Sequence, residues 1–297
     1  MTAMPALTVE PEVQSARTFR HVLSVIVRDP LSLASTIVIL LFLLVAVFAT
    51  QLAPYPNEGA GVTNVPHRML APSTEHPFGA DRLGRDVLSR VIVGSRLAVI
   101  IPLGVVFFAI LIGVPLGAIA GYKGGWVDEV IMRVTDLFLA FPSLLLAMAI
   151  TAALGRGLQN AAIALVVSWW PWYTRLARAV TIGLRERYFV EAAQATGVRD
   201  SVIILRHILP NTISPILVQA TVDLGTVILA MGSLGFLGLG TQPPSPDWGL
   251  MVAEGRDFIL NQWWISTFPG LAIFIVVLAF NLLGDTLRDI FDPRQYR

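Results

Sequence analysis

Long apolar runs separated by short polar ones set the pattern of this chain. Residues 31–53 carry no charge and are long enough to cross about 30 Å of hydrocarbon. Residues 97–120 form a second uncharged run, and further apolar stretches cover 130–154, 158–174, 213–237 and 264–283. Together they predict an all-α, polytopic membrane protein with six transmembrane helices. Pro102, Pro115, Gly104, Gly113 and Gly117 fall inside the second run. Membrane helices tolerate such residues when neighbours re-satisfy the freed backbone groups, and glycines let helices approach closely. Pro142 and Pro171 predict kinks in the third and fourth spans.

The polar stretches divide the chain as follows. Residues 1–30 form a leader ending at Asp29-Pro30, and 31–53 the first span. Residues 54–96 form a Pro- and Gly-rich segment holding Asp81, Arg82, Arg85 and Asp86. Residues 97–287 are the core domain, interrupted by a charged loop at 183–210, and 288–297 are a tail. A cleaved signal peptide is the rival reading of the first run. The leader is too long for one, and the run exceeds the usual apolar region of about 7–15 residues.

Composition agrees with a bilayer. The 297 residues are 55% hydrophobic and 14% charged, where soluble domains carry about 25% charged residues. The net charge of +1 says little, but the placement of the charges says more. With the N-terminus inside, the inner segments hold fourteen of the basic residues and the outer ones seven. That split predicts cytoplasmic termini and a cytoplasmic 183–210 loop. Arg82, Arg85, Arg90 and Arg96 run against it. The absence of cysteine excludes disulfides and Cys-ligated metals.

The charged loop carries the functional argument. Residues 184–196 are helix-forming, and Gly197 is placed to end a helix as its C′ residue. Asp200 or Ser201 can cap a second short helix, and Pro210 marks the approach to the next span. Ala192 and Ala193 let another surface come close, and Glu191 offers a charge. Two readings follow. One is an amphipathic helix lying on the membrane, with Leu184, Tyr188 and Phe189 dipping into lipid. The other is a docking element for a soluble subunit.

The segment Glu191-Ala192-Ala193, with Gly197, Leu209 and Pro210 at the expected spacing, resembles the EAA loop of ABC-transporter permeases. It departs where that pattern has isoleucine: His207 stands there, with Ile208 beside it. The segments His76–Gly79, Leu83–Arg90, Gly124–Asp128, Ala140–Ser143, Leu234–Gly240 and Asn281–Asp285 are similar to the C-type permeases of dipeptide, oligopeptide and nickel importers. The resemblance covers about residues 30–294. It implies a type I importer permease fold in a bacterial or archaeal inner membrane. It also implies a second homologous permease subunit, two ATPase subunits and an extracytoplasmic substrate-binding protein as partners. Arg187, Glu191, Ala192, Ala193, Gly197, Leu209 and Pro210 would then form the ATPase-coupling loop.

Other chemistry is sparse. No Gly-x-x-x-x-Gly-Lys-Ser/Thr loop is present, so ATP and Mg are expected on partner subunits and no cofactor on this chain. No catalytic constellation appears, and nothing points to nucleic acid. His21, His67, His76 and His207 lack metal-ligand spacing. Trp169, Trp170, Trp172, Trp263 and Trp264 read as an aromatic belt at span ends. Gly232 to Gly240 reads as close packing. Asp223 lies inside the fifth span with no basic neighbour, and is either structural or part of a substrate pathway. The expected function is import of dipeptides or oligopeptides. Nickel chelates, glutathione, opines or oligosaccharides are the alternative cargoes. An ion-coupled secondary transporter is the alternative class; it would favour broken helices with ionisable residues in both halves.

Overall fold

The computed structural model describes residues 24–291. The start of the leader, with Arg17, Arg20 and His21, and residues 292–297, with Arg294 and Arg297, lie outside the described residues. The described residues are helical and contain no strand.

Helix α1 spans Pro30–Val47, with Asp29 accepting a 2.8 Å hydrogen bond from the Ser32 N–H as its N-cap. Pro30 suits the first turn, where its missing N–H costs nothing. Two short helices follow, α2 (Ala49–Leu52) and α3 (Pro56–Gly59). Helix α4 then runs from Val87 to Lys123, a rod about 55 Å long. It begins at Val87 rather than 97, because Asp86 accepts a 2.7 Å bond from the Ser89 N–H and caps it there. Helices α5 (Gly125–Leu139) and α6 (Ser143–Leu154) meet at 84°. The expected third span at 130–154 is therefore broken, with Pro142 standing at the break.

Helix α7 (Leu158–Arg185) leads through α8 (Tyr188–Ala195) to α9 (Asp200–Ile203). A π-turn at Ile204–Ile208 joins α9 to α10 (Leu209–Phe236). Helices α11 (Trp248–Gly255) and α12 (Trp264–Phe291) complete the order. Four of these stretches are long and apolar enough to cross a membrane: 30–47, 87–123, 200–236 and 264–290. The bent α5–α6 pair brings the number to five if it counts as one span. The expected fourth span, 158–174, falls within α7. That helix has the length, but its Trp, Tyr and Arg residues dilute its apolar character.

Helix α4 is the axis of the molecule, touching three apolar clusters. Near its start, Val87 packs with Ile39 and Phe42 of α1 and with Trp248 and Trp264. Along its middle, Val105 to Val114 pack on α6, α7 and α10. At its end, Ala118 and Tyr122 pack on Val190, Ile203 and Ile208. The contact with α7 is unusually close. A Cβ added at Gly113, Gly117 or Gly121 would lie 2.4, 2.2 or 2.8 Å from the carbonyl oxygens of Trp170, Thr174 and Arg178. Three glycines at four-residue intervals thus face three carbonyls at the same interval. The 232–240 glycines also serve packing. Gly232 lies under Gly249, and Gly235 under Asp247, the N-cap of α11. Burial pushes the Asp247 carboxyl above the usual carboxylate range, against the bond it accepts from the Leu250 N–H.

The 54–86 segment folds over the start of α4 through buried polar groups. Arg85 and Arg90 are each 1% exposed. Arg85 pairs with Asp81 at 2.6 Å and with Glu254 of α11 at 2.9 Å. Arg90 lies 3.7 Å from Asp81 and 3.8 Å from Glu254. His76 Nδ1 lies 2.9 Å from Asp86. Glu58 accepts the Asp86 N–H at 2.9 Å. Arg96 donates to the Ala46 and Val47 carbonyls at the end of α1, where a cation is favoured. Three of the basic residues that disturbed the charge pattern, Arg85, Arg90 and Arg96, are thus folding residues. The aromatic belt is not upheld at Trp169, Trp170 and Trp264, which are buried in the packing.

Two outcomes are expected. Gly117→Val should destabilise by about 3 kcal/mol or more, because the carbonyl it meets belongs to a backbone that cannot turn aside. Gly104→Ala in the same helix meets nothing within 4 Å and should be neutral or stabilising by about 0.5–1 kcal/mol. Glu254→Gln should cost about 3–5 kcal/mol by leaving two buried guanidinium groups with Asp81 as their one remaining carboxylate, whereas Arg82→Gln at the half-exposed rim should cost under about 1 kcal/mol. Thermal unfolding of the purified variants in one detergent checks both pairs.

Candidate functional site

The 183–210 loop sits against the far end of α4, away from the ionic cluster. Helix α8 ends in a Schellman arrangement: the Gly197 N–H donates to Gln194 O at 2.9 Å, and the Val198 N–H to Ala193 O at 3.1 Å. Gly197 has φ of +78°, so it is the C′ residue its position predicts. A Cβ there would meet nothing within 4 Å, so the demand for glycine is one of backbone conformation alone.

The second half of the loop differs from expectation. Neither Asp200 nor Ser201 caps a separate helix; the N-cap position is Arg199, with no side-chain bond. From Asp200 the chain runs on as one helical stretch to Phe236. Pro210 lies in the first turn of α10 instead of closing a preceding helix. The π-turn makes this possible. The Leu209 N–H reaches back to Ile204 O, which widens the turn ahead of the proline ring. The isoleucine position of the loop pattern also resolves. Ile208 is fully buried, while His207 is half-buried and faces Phe189 with ring centroids 6.3 Å apart.

Burial divides α8 into two faces. Val190 is fully buried, and Ala193 packs beside it with Leu184, Val198 and Leu209. Leu184 therefore faces the core and not lipid. Tyr188, Glu191, Ala192, Ala195 and Thr196 are exposed. Their spacing of three and four places them on one stripe of the helix. Arg187 is the exposed N-cap residue, without a side-chain capping bond. The platform is tied to α4 by Tyr122. Its hydroxyl donates to Asp200 Oδ1 at 3.2 Å and accepts from Gln194 Nε2 at 3.2 Å. Arg178 of α7 is bound to Asp128 of α5, with Nη2 donating to Oδ2 at 2.6 Å. Sequence reasoning missed Tyr122, which lies just past the 97–120 run; the helix there extends to Lys123.

Asp223 stands apart from the loop, on the middle of α10. It is buried and lines a cavity of about 490 Å³ between α6, α7 and α10. Gln219, one turn earlier, donates to its Oδ1 at 3.1 Å. Trp169 and Trp172 of α7 form another wall. Among the described residues, no group of three His, Asp or Glu is arranged to hold a metal ion.

Comparison with known proteins agrees with this architecture. Residues 113–297 match the family described as binding-protein-dependent transport system inner membrane component. Residues 18–72 match the N-terminal TM domain of oligopeptide transport permease C. The dipeptide transport system permease protein DppC of Alkalihalophilus pseudofirmus is 43% identical, over 98% of this chain and 97% of its own length. The probable D,D-dipeptide transport system permease protein DdpC of Escherichia coli is 44% identical, over 90% of this chain and 88% of its own. The glutathione transport system permease protein GsiD of Escherichia coli is also 44% identical, with the same coverage. Among solved structures, inward-facing forms of the MetNI methionine ABC transporter share the fold. Two crystal forms give TM-scores of 0.54 and 0.56 at 19% identity, covering 68% and 69% of this chain and 97% and 98% of theirs. The chain belongs to the binding-protein-dependent transport system inner membrane components, and is a multi-pass permease subunit of an ABC importer.

Proposed function

We propose that this chain is the C-type permease of an ATP-driven importer of dipeptides and short oligopeptides. Relatives named for dipeptide transport, similar along almost the whole chain, support that cargo. Relatives named for glutathione transport support a second reading within the same class, with a small peptide of unusual linkage as cargo. In the assembled importer the chain pairs with a second homologous permease. Two ATPase subunits bind ATP and Mg on the cytoplasmic side, and an extracytoplasmic binding protein delivers the cargo. Both termini and the 183–210 loop lie in the cytoplasm, as the basic residues suggest.

The observation that carries the coupling role is the exposed stripe of α8. It presents Glu191 flanked by the small side chains of Ala192 and Ala195, on a helix whose other face is fixed in the core. A partner groove can close over such a surface. Arg187 stands exposed at its N-terminal edge, Ala193 and Leu209 pack behind it, and Pro210 lies exposed in the first turn of α10. Closure of the ATPase pair on ATP then moves α8, and α7 and α4 follow it. ATP binding shifts the permease only through its preference for one of two conformations.

The bend at Gly197 tests this role. Gly197→Val places a β-branched residue in the left-handed region, at a cost of about 1–2 kcal/mol. ATP-driven uptake in proteoliposomes should fall about five- to tenfold, a change on the scale of that energy. The variant should still insert and assemble. Gly197→Asn, which tolerates the same conformation, should stay within about twofold of the parent. Normal uptake by the valine variant would remove Gly197 from the coupling element.

A further inference from the structure

Asp223 is placed in a way that packing does not explain. Its residue is 7% exposed, and Oδ2 has no hydrogen-bond partner. None of the ion pairs among the described residues includes it. Tyr173 and Trp169 present their hydrogen-bonding groups to the same carboxylate, and Oδ2 is shielded from solvent. A buried carboxylate without a cationic partner is costly within a membrane, and such residues mark pathways for ions and substrates.

The surroundings define what would satisfy it. The cavity of about 490 Å³ lies within the range of about 300–1,000 Å³ of small-molecule sites. No Arg, Lys or His lines it. Thr226 and Ser233, on the same helix, donate their hydroxyl protons to their own backbone, to Val222 O at 3.3 Å and Leu229 O at 2.8 Å. Their remaining lone pairs are acceptors. Ser143 Oγ already accepts from Trp172 Nε1 at 3.4 Å, which joins α6 to α7 across the cavity. The wall is therefore acceptor-rich and carries a single acid. Two indoles add faces that attract a cation. With one acid and no cation in its wall, the cavity suits a primary ammonium better than the carboxylate end of a ligand.

We propose that Asp223 receives the protonated amino terminus of the cargo during passage, with Trp169 and Trp172 flanking it and the Thr226 oxygen, one turn on, beside it. This rests on the small-peptide cargo proposed above, since such a cargo carries a primary ammonium. The bond is charge-assisted and made only while cargo is in the cavity, so it guides a step without trapping the ligand. Asp223 is a binding residue in this account, and Gln219 positions its other oxygen.

The test uses the assembled transporter in nanodiscs, without its binding protein, so that cargo selection by that protein does not interfere. The probe is a radiolabelled dipeptide bearing a diazirine side chain at its first residue. Photolysis should label peptides from α7 and α10. Excess unlabelled dipeptide should block the labelling, and its N-acetyl form should not. Asp223→Asn keeps the size and the Gln219 contact but removes the charge. It should lower labelling about 10- to 100-fold, as loss of a charge-assisted hydrogen bond does. Asp223→Glu should recover a large part of it. Co-elution of all subunits shows that each variant is assembled. Equal blocking by the N-acetyl dipeptide, or full labelling of assembled Asp223→Asn, overturns the proposal. ATP-driven uptake of the same dipeptide by the unmodified transporter, with binding protein present, is measured separately. Its absence overturns the peptide cargo, while labelling that discriminates the free amine still upholds the ammonium site.

Discussion

The close approach of α4 and α7 is the contact on which the rest of the structure depends. Gly113, Gly117 and Gly121 present a smooth stripe, and the carbonyls of Trp170, Thr174 and Arg178 lie against it. In a bilayer there is little hydrophobic gain from pairing two apolar helices, so tight packing must supply the attraction. Backbone-to-backbone contact of this kind brings many atoms into range at once and permits weak Cα–H to carbonyl bonds. It also fixes register, because each glycine meets one carbonyl. The stripe ends where the loop platform begins. Arg178 and Tyr122, the last anchors of α7 and α4, hold α5 and α8–α9 in turn. In the proposed coupling, a push on α8 would reach the α6–α7–α10 cavity through elements already packed together.

The opposite end of α4 is held by charge rather than by close packing. Arg85 and Arg90 are buried between Asp81 and Glu254. Such groups lose much of their attraction to desolvation, and they stabilise only while every partner is present. Their effect is specificity, joining the 54–86 segment to α11 in one arrangement. The stretch from His76 to Arg90, part of the resemblance read in the sequence, is thereby a folding element. Phe78 stacks on Phe268 of α12 at 3.9 Å, and the Trp264 indole donates to Ala80 O at 3.2 Å. Loop and helices are one body at this end.

Much of this was legible in the sequence, and the remainder failed for identifiable reasons. The apolar runs located α1, α4, α10 and α12, and Gly197 announced its own conformation. The six-span count is not confirmed: α7 covers the expected fourth span but its tryptophans lower its apolar character, and at Pro142 one run became two helices at 84°. The start of α4 was hidden because Arg90 and Arg96 look like loop residues until their partners, Glu254 and the end of α1, are in view. Those partners lie far away in sequence, and no local pattern announces them. The π-turn before Pro210 was equally invisible, since the pattern there suits either a stop or a start. Asp223 stood out as a charge in an apolar run, but its cavity, with Trp169 and Gln219, needed three helices to be placed.

The most direct measurement of the central account uses the chain's lack of cysteine. Single cysteines are placed at Ala192, on the exposed stripe of α8, and at Ala193, on its packed face. Each is then tested for cross-linking to the co-purified ATPase subunits with a short maleimide–succinimidyl ester linker, which joins the thiol to partner lysines. The account predicts strong cross-linking from position 192, modulated by ATP, and little from position 193. Cross-linking from neither position in an intact complex, or equally from both, would contradict it.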